Sequence, residues 1–124
     1  LYLKLSEQYK DYDIYSKIEL SRDDDFLDPK PDLYLESDSG DKRSIMAELF
    51  SDNTPLWVIK KRIDTYVKHF EDDEWEWDEY PVVTIFTRDQ KSTEKLDTHI
   101  HKVFDDRYIK TDELTITAQL LHYD

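Results

Sequence analysis

The sequence has no cysteine, and one glycine, Gly40, in 124 residues. The first absence excludes disulfides, cysteine-ligated zinc, iron–sulfur clusters and thiol catalysis. The second excludes the glycine-rich loops that let a backbone close around a phosphate, so neither a Walker loop nor a dinucleotide fingerprint is available. No run of 18 apolar residues occurs, which leaves no candidate transmembrane helix. No charged start followed by an apolar centre marks a leader. Basic side chains are also scarce: 17 Lys and Arg stand against 30 Asp and Glu, a formal charge of −13. Such a surface repels nucleic-acid phosphates at long range and disfavours unassisted, non-specific binding to DNA or RNA. These absences lead us to expect a cytoplasmic protein with no membrane association.

What the chain does have is aromatic bulk, with 14% Phe, Trp and Tyr against 38% apolar residues in all. A few large side chains can fill a core that many small ones would otherwise fill. The length fits a single domain spanning 1–124. Because the first residue is Leu1 rather than Met, we expect that domain to have been excised from a longer protein.

Hydrophobic periodicity orders the elements. Leu1, Leu5 and Tyr9 recur at helical spacing over Leu1 to Lys10. Ile14 to Leu20 alternates, with Ile14, Ser16, Ile18 and Leu20 on one face, as a half-buried strand does. An acidic loop with Asp23, Asp24, Asp25 and Asp28 follows, closed by Pro29 and Pro31. Asp32 to Glu36 alternates again and leads into a turn over Ser37 to Lys42 around Gly40. Ser44 to Phe50 is a nearly continuous apolar run and reads as a central strand. Thr54 as cap and Pro55 in the first turn open a helix whose stripe is Leu56, Ile59, Ile63, Tyr66, Val67 and Phe70. After the acidic segment Glu71 to Tyr80, Pro81 to Phe86 reads as a buried strand. Asp89 or Ser92 then starts a helix bearing Leu96, Ile100, Val103 and Phe104, and Leu114 to Leu120 alternates as a closing strand. The expected order is α-β-β-β-α-β-α-β, an α/β fold with a mixed central sheet and helices on both of its faces.

Two acids stand out because they lie in strands. Asp32 follows Pro31 at a strand start, and Glu48 interrupts the apolar run Met46, Ala47, Leu49 and Phe50. A carboxylate in such a place costs several kcal/mol unless it is paired, protonated or bound to a cation. On neighbouring strands the two can face one way and share Mg²⁺, a hard cation that prefers oxygen ligands. A salt bridge to Lys60, Lys61 or Arg62, or a strand end that reaches solvent, satisfies the same requirement without a metal.

Pro31-Asp32, Glu48 in the third strand and the helix after it resemble the PD-(D/E)xK nuclease superfamily, and the order of elements is similar to that superfamily's α-β-β-β-α-β core. Within it the chain most resembles replication-relaxation-like proteins of plasmids and mobile elements. These carry a Pro-Asp strand, a Glu-x-Asp strand end and a helical Lys four residues before a Tyr. Pro31, Asp32 and Glu48 match. Phe50 stands where Lys or Asp is called for, and Arg62 stands four residues before Tyr66, where the Lys would be. The resemblance implies Asp32, Glu48, Lys60 and Arg62 as a vestigial catalytic set, with Asp32 and Glu48 as the Mg²⁺ ligands. It also implies an upstream winged-helix domain that makes the DNA contact. Phe cannot position an attacking water, and Arg stays protonated and cannot act as a base. Lys60 is the candidate for a migrated lysine, since Lys60 and Arg62 flank the apolar stripe while Lys61 and Lys68 point outward. The expectation is therefore a non-catalytic domain accessory to DNA processing in plasmid or mobile-element replication, with an active Mg²⁺-dependent nuclease as one alternative.

The other alternative is an acidic interaction module, or nucleic-acid mimic, that binds a basic protein partner. Seven of the ten residues from Glu71 to Tyr80 are acidic, and Trp75 and Trp77 are embedded among them. Aromatic groups rimmed by charge mark partner-binding patches. Asp23 to Asp28 would extend that surface. The plainer reading of Glu71 to Tyr80, which comes first, is a solvated connection between the long helix and the buried strand. His99 and His101 fall on different faces of a helix, which gives them surface roles, and no partner is evident for His69 or His122. No Ser/His/Asp grouping supports acyl transfer.

Overall fold

A computed structural model of the chain describes residues 9–10, 12–21, 31–37, 43–50, 54–72, 80–110 and 113–120. Its elements are β1 (Tyr12–Ser16), α1 (Lys17–Ser21), β2 (Leu33–Ser37), β3 (Ile45–Leu49), α2 (Leu56–Glu71), β4 (Val82–Thr87), α3 (Gln90–Arg107) and β5 (Ile116–Leu120). The fold is α/β, with a five-stranded mixed sheet in the order β1-β2-β3-β4-β5. β1, β2 and β3 pair antiparallel, whereas β3–β4 and β4–β5 are parallel. The parallel pairs are joined by crossovers through α2 and α3. Two right-handed crossovers moving the same way across a sheet leave both helices on one face.

The core shows this division. Met46, Val83, Ile85 and Ile116 pack with Ile59, Ile63, Tyr66 and Val67 of α2 and Leu96, Ile100 and Phe104 of α3. Leu20 of α1 joins them. On the other face Leu33, Leu35, Ile45, Ala47 and Phe86 form a second cluster, against which Tyr9, Tyr12, Ile14, Leu49 and Val82 pack. Helices on both faces were expected. Among the described residues all three lie on one face, and the helix expected over Leu1 to Lys10 lies outside them apart from the turn at Tyr9 and Lys10. The turn around Gly40 and the loop 22–30 also lie outside.

Two boundaries, at Ser16 and at Pro55, differ from the sequence reading for local reasons, and a third settles on Asp89 of the two starts expected. The strand expected to run to Leu20 ends at Ser16, because Ser16 and Glu19 form a capping box. The Ser16 Oγ accepts from the Glu19 N–H at 3.3 Å, and Glu19 Oε1 accepts from the Ser16 N–H at 3.1 Å. At α2, Pro55 rather than Thr54 is the cap residue, since its ψ of 145° is extended, and the helix starts at Leu56. α3 is capped by Asp89, whose side chain accepts from the Ser92 N–H at 2.7 Å. At its other end Tyr108 takes a left-handed conformation, φ 57° and ψ 38°, and the Ile109 N–H donates to the Phe104 carbonyl at 3.0 Å. Glycine usually fills this position, and a chain with one glycine spends a tyrosine there. α2 and α3 are tied along their length by His99 Nε2 to Asp64 Oδ1 at 3.0 Å and by the Arg107–Glu71 ion pair. His99 therefore bridges two helices instead of taking a plain surface role. Among the described residues no helix is long and apolar enough to cross a membrane.

Candidate functional site

Asp32 and Glu48 come together through strand register. β2 and β3 set Leu33 opposite Ala47, which carries Asp32, one residue before β2, to the level of Glu48. Alternation along β3 sends Ile45, Ala47 and Leu49 to the face away from the helices and Met46 and Glu48 to the helical face. Glu48 thus enters the layer between sheet and α2, where its residue exposure falls to 3%.

α2 supplies what a carboxylate needs in that layer. Arg62 donates a charge-assisted hydrogen bond to Glu48 Oε1 and forms an ion pair with it. The Tyr66 hydroxyl donates to the same oxygen at 2.5 Å. One turn separates the two donors, so a single helical face presents both, and the guanidinium lies 5.6 Å from the centre of the Tyr66 ring. Burial pushes the Glu48 carboxyl above its ordinary range, and the nearby Asp32 carboxylate pushes the same way. Arg62 and the Tyr66 bond pull it down without cancelling that rise. The Tyr66 hydroxyl is raised well above its ordinary value by burial and by the Glu48 charge. Arg62 remains a cation, because the Glu48 carboxylate more than offsets the effect of its burial.

Asp32 is held differently. Its Oδ2 accepts from the Leu49 N–H at 2.8 Å, and its Oδ1 lies 3.7 Å from Lys17 Nζ. The Lys17 N–H also donates to the Asp32 carbonyl at 3.2 Å. Asp32 therefore fastens the start of β2 to the end of β3 and to α1, and its side chain keeps 33% of its surface in solvent.

The site is a row of charges in which two neighbouring acids, Asp32 and Glu48, lie between two cations, Lys17 on Asp32 and Arg62 on Glu48, with Tyr66 on the helix side. Asp32 and Glu48 offer the oxygen donors that Mg²⁺ favours. However, Glu48 Oε1 is already bound by two donors, and both Asp32 oxygens face a donor or a cation. A divalent ion bound through Glu48 Oε1 would compete with Arg62 and Tyr66 for that oxygen. Among the described residues no group of three or more His, Asp or Glu is placed to hold a metal. Phe50, two residues after Glu48 on the same side of the strand, packs against the core cluster beneath the helices. Lys60 is half-buried on α2 but does not join Arg62 and Tyr66 at Glu48. Trp75 and Trp77 lie outside the described residues, as does the loop holding Asp23 to Asp28.

Sequence reasoning named neither Tyr66 nor Lys17 as a site residue. Tyr66 reads as one more apolar residue in the α2 stripe, although its place four residues after Arg62 is the available signal. Lys17 carries no signal, because an alternating strand pattern assigns it to the solvent side. His69 was also given no partner, and it is buried with Nδ1 2.7 Å from the Tyr80 hydroxyl. Comparisons of the chain with protein-family models, with curated proteins and with solved structures found no match.

Proposed function

We propose that the chain is a PD-(D/E)xK-like domain, similar to the restriction-endonuclease-like domain of replication-relaxation-type proteins. In this reading it is accessory to DNA processing in plasmid or mobile-element replication and cleaves nothing itself. Setting aside α1, which is inserted between β1 and β2, and the first helix, which lies outside the described residues, the order β1, β2, β3, α2, β4 is compatible with the order on which the resemblance rests. The convergence of Asp32 and Glu48 at one level of the sheet supports the same ancestry. The observation that carries the loss of catalysis is the Glu48–Arg62–Tyr66 cluster. Two donors occupy one oxygen of the carboxylate, and one of them brings a permanent positive charge beside any cation that Glu48 would hold. Phe50 adds to this, since an apolar ring stands where the nuclease motif places a lysine.

The test incubates the purified chain with supercoiled plasmid and with single-stranded circles in Mg²⁺ and in Mn²⁺, alongside a calorimetric Mg²⁺ titration. Neither cleavage nor a Mg²⁺ heat signal is expected. Metal-dependent cleavage that disappears in both Asp32→Asn and Glu48→Gln would overturn the reading.

A further inference from the structure

The chain carries −13, yet the helix that closes the candidate site is basic. α2 holds Lys60, Lys61, Arg62 and Lys68 against two acids, Asp64 and Glu71. Asp64 lies four residues after Lys60 and three after Lys61, and Glu71 lies three after Lys68. At such spacings an acid ordinarily neutralises a lysine on its own helix. Here both are turned to α3 instead, Asp64 to His99 and Glu71 to Arg107. Lys60, Lys61 and Lys68 consequently form no ion pair among the described residues. In a chain with nearly twice as many acids as bases, three uncompensated lysines on one helix are unexpected.

Trp57 shares their surface. It is 66% exposed, one of two large hydrophobic side chains so placed among the described residues. Lys60 and Lys61 follow it by three and four residues, which puts them one turn along from the indole. Lys68 resumes the row one turn beyond Asp64, whose carboxylate is engaged by His99, and the distance from Trp57 to Lys68 is about 16 Å along the axis at 1.5 Å per residue. A flat aromatic face followed by a line of free ammonium groups matches a strand that offers a stackable base and then phosphates at successive steps. An acidic peptide complements the charge but leaves the indole without a flat partner.

We infer that the outward face of α2, with Trp57 as a stacking platform and Lys60, Lys61 and Lys68 as phosphate contacts, binds single-stranded nucleic acid. This inference stands apart from the fate of the Asp32–Glu48 site, because Trp57, Lys61 and Lys68 were not assigned to that site and Lys60, which was, does not bond Glu48. The whole-chain charge opposes the encounter, so binding is confined to low ionic strength and is steeply salt-dependent.

The experiment is fluorescence anisotropy of a short labelled oligo-dT with the whole chain at low salt. Three phosphate contacts give a log–log salt slope of about −2 on single strands. Trp57→Ala weakens binding by about tenfold and Trp57→Phe largely restores it. Lys61→Glu with Lys68→Glu weakens binding and flattens the slope by about 1.4. Lys102→Glu on the exposed side of α3 serves as a charge control and leaves Trp57-dependent binding in place. Circular dichroism confirms that the variants are folded. No binding at low salt overturns the inference, as does binding indifferent to Trp57→Ala. A duplex bound as tightly as oligo-dT refutes the stacking platform. A Glu-rich peptide bound in preference assigns the surface to an acidic protein and overturns the nucleic-acid reading.

Discussion

Replacing Arg62 by leucine removes the one cation bonded to Glu48 and leaves that carboxyl in the layer between sheet and helix. The Glu48 side chain is 4% exposed and the Arg62 side chain 27%. Breaking a fully buried pair costs about 3–5 kcal/mol. Here the Tyr66 hydroxyl stays on the carboxylate, and the partial exposure of Arg62 brings water to one side of the pair. We therefore place the loss at about 2–3 kcal/mol, or roughly 10 °C in Tm for a domain of this size. The penalty depends on pH. Without Arg62 the folded-state pKa of Glu48 rises further above its ordinary 4.5, since the group that pulled it down is gone. A raised acid contributes stability that is fully present below 4.5 and is lost as pH climbs through the folded value. Urea denaturation followed by far-UV circular dichroism at about pH 5 and about pH 8 should show the larger deficit at the higher pH. Adding Glu48→Gln to Arg62→Leu removes the buried charge and keeps an acceptor for Tyr66. The double variant should recover to within about 1 kcal/mol of the parent. A loss below about 0.5 kcal/mol in Arg62→Leu, or equal losses at the two pH values, would refute the reasoning that Arg62 is the counter-ion of a buried carboxylate.

Two further outcomes follow from helix ends. Tyr108→Gly relieves a left-handed backbone at the end of α3 and should raise stability by about 1 kcal/mol, measured as a shift in the urea midpoint. A decrease would mean that the exposed Tyr108 ring contributes packing the geometry does not show. The Asp89 carboxyl is held below its ordinary 3.8, first by the Ser92 N–H and then by the Ser92 hydroxyl. A lowered acid contributes stability that is present above 3.8 and is lost as pH falls through the folded value. Protection factors at the start of α3, corrected for the intrinsic pH dependence of amide exchange, should therefore fall on acidification below 3.8, and in Asp89→Asn this loss should vanish while the cap survives.

Most of the fold could be read from periodicity because each long element has one strong apolar face. α2 and β4 were placed to within a residue or two, since Ile59, Ile63, Tyr66 and Val67 repeat at helical spacing and Pro81 marks where the strand begins. The break at Ser16 was harder to see. Ile14, Ser16, Ile18 and Leu20 satisfy a strand pattern on their own, and the Ser16-x-x-Glu19 box that ends the strand is a side-chain signal laid over an apolar one. The meeting of Asp32 and Glu48 was readable from alternation plus an assumed hairpin. The choice of Arg62 over Lys60 as the counter-ion was not, because a helical wheel places both at the edges of the stripe. What decides between them is where β3 lies under α2, and only the folded sheet supplies that.

In the sheet, strand order repeats chain order, and this bears on how the chain folds. Each strand's partner is its neighbour in sequence, so no pairing waits for any strand but the next. The longest closures are the β3–β4 and β4–β5 crossovers, and each is shortened by a helix that can begin forming locally. The antiparallel β1–β2–β3 pairings close the shorter loops, whereas the two parallel pairings bring together more distant segments and are intrinsically slower to form. The shared order also lets the sheet extend one strand at a time as the chain leaves the ribosome. The Asp32–Glu48 pairing, between the second and third strands, belongs to the part of the sheet whose register does not depend on the last crossover.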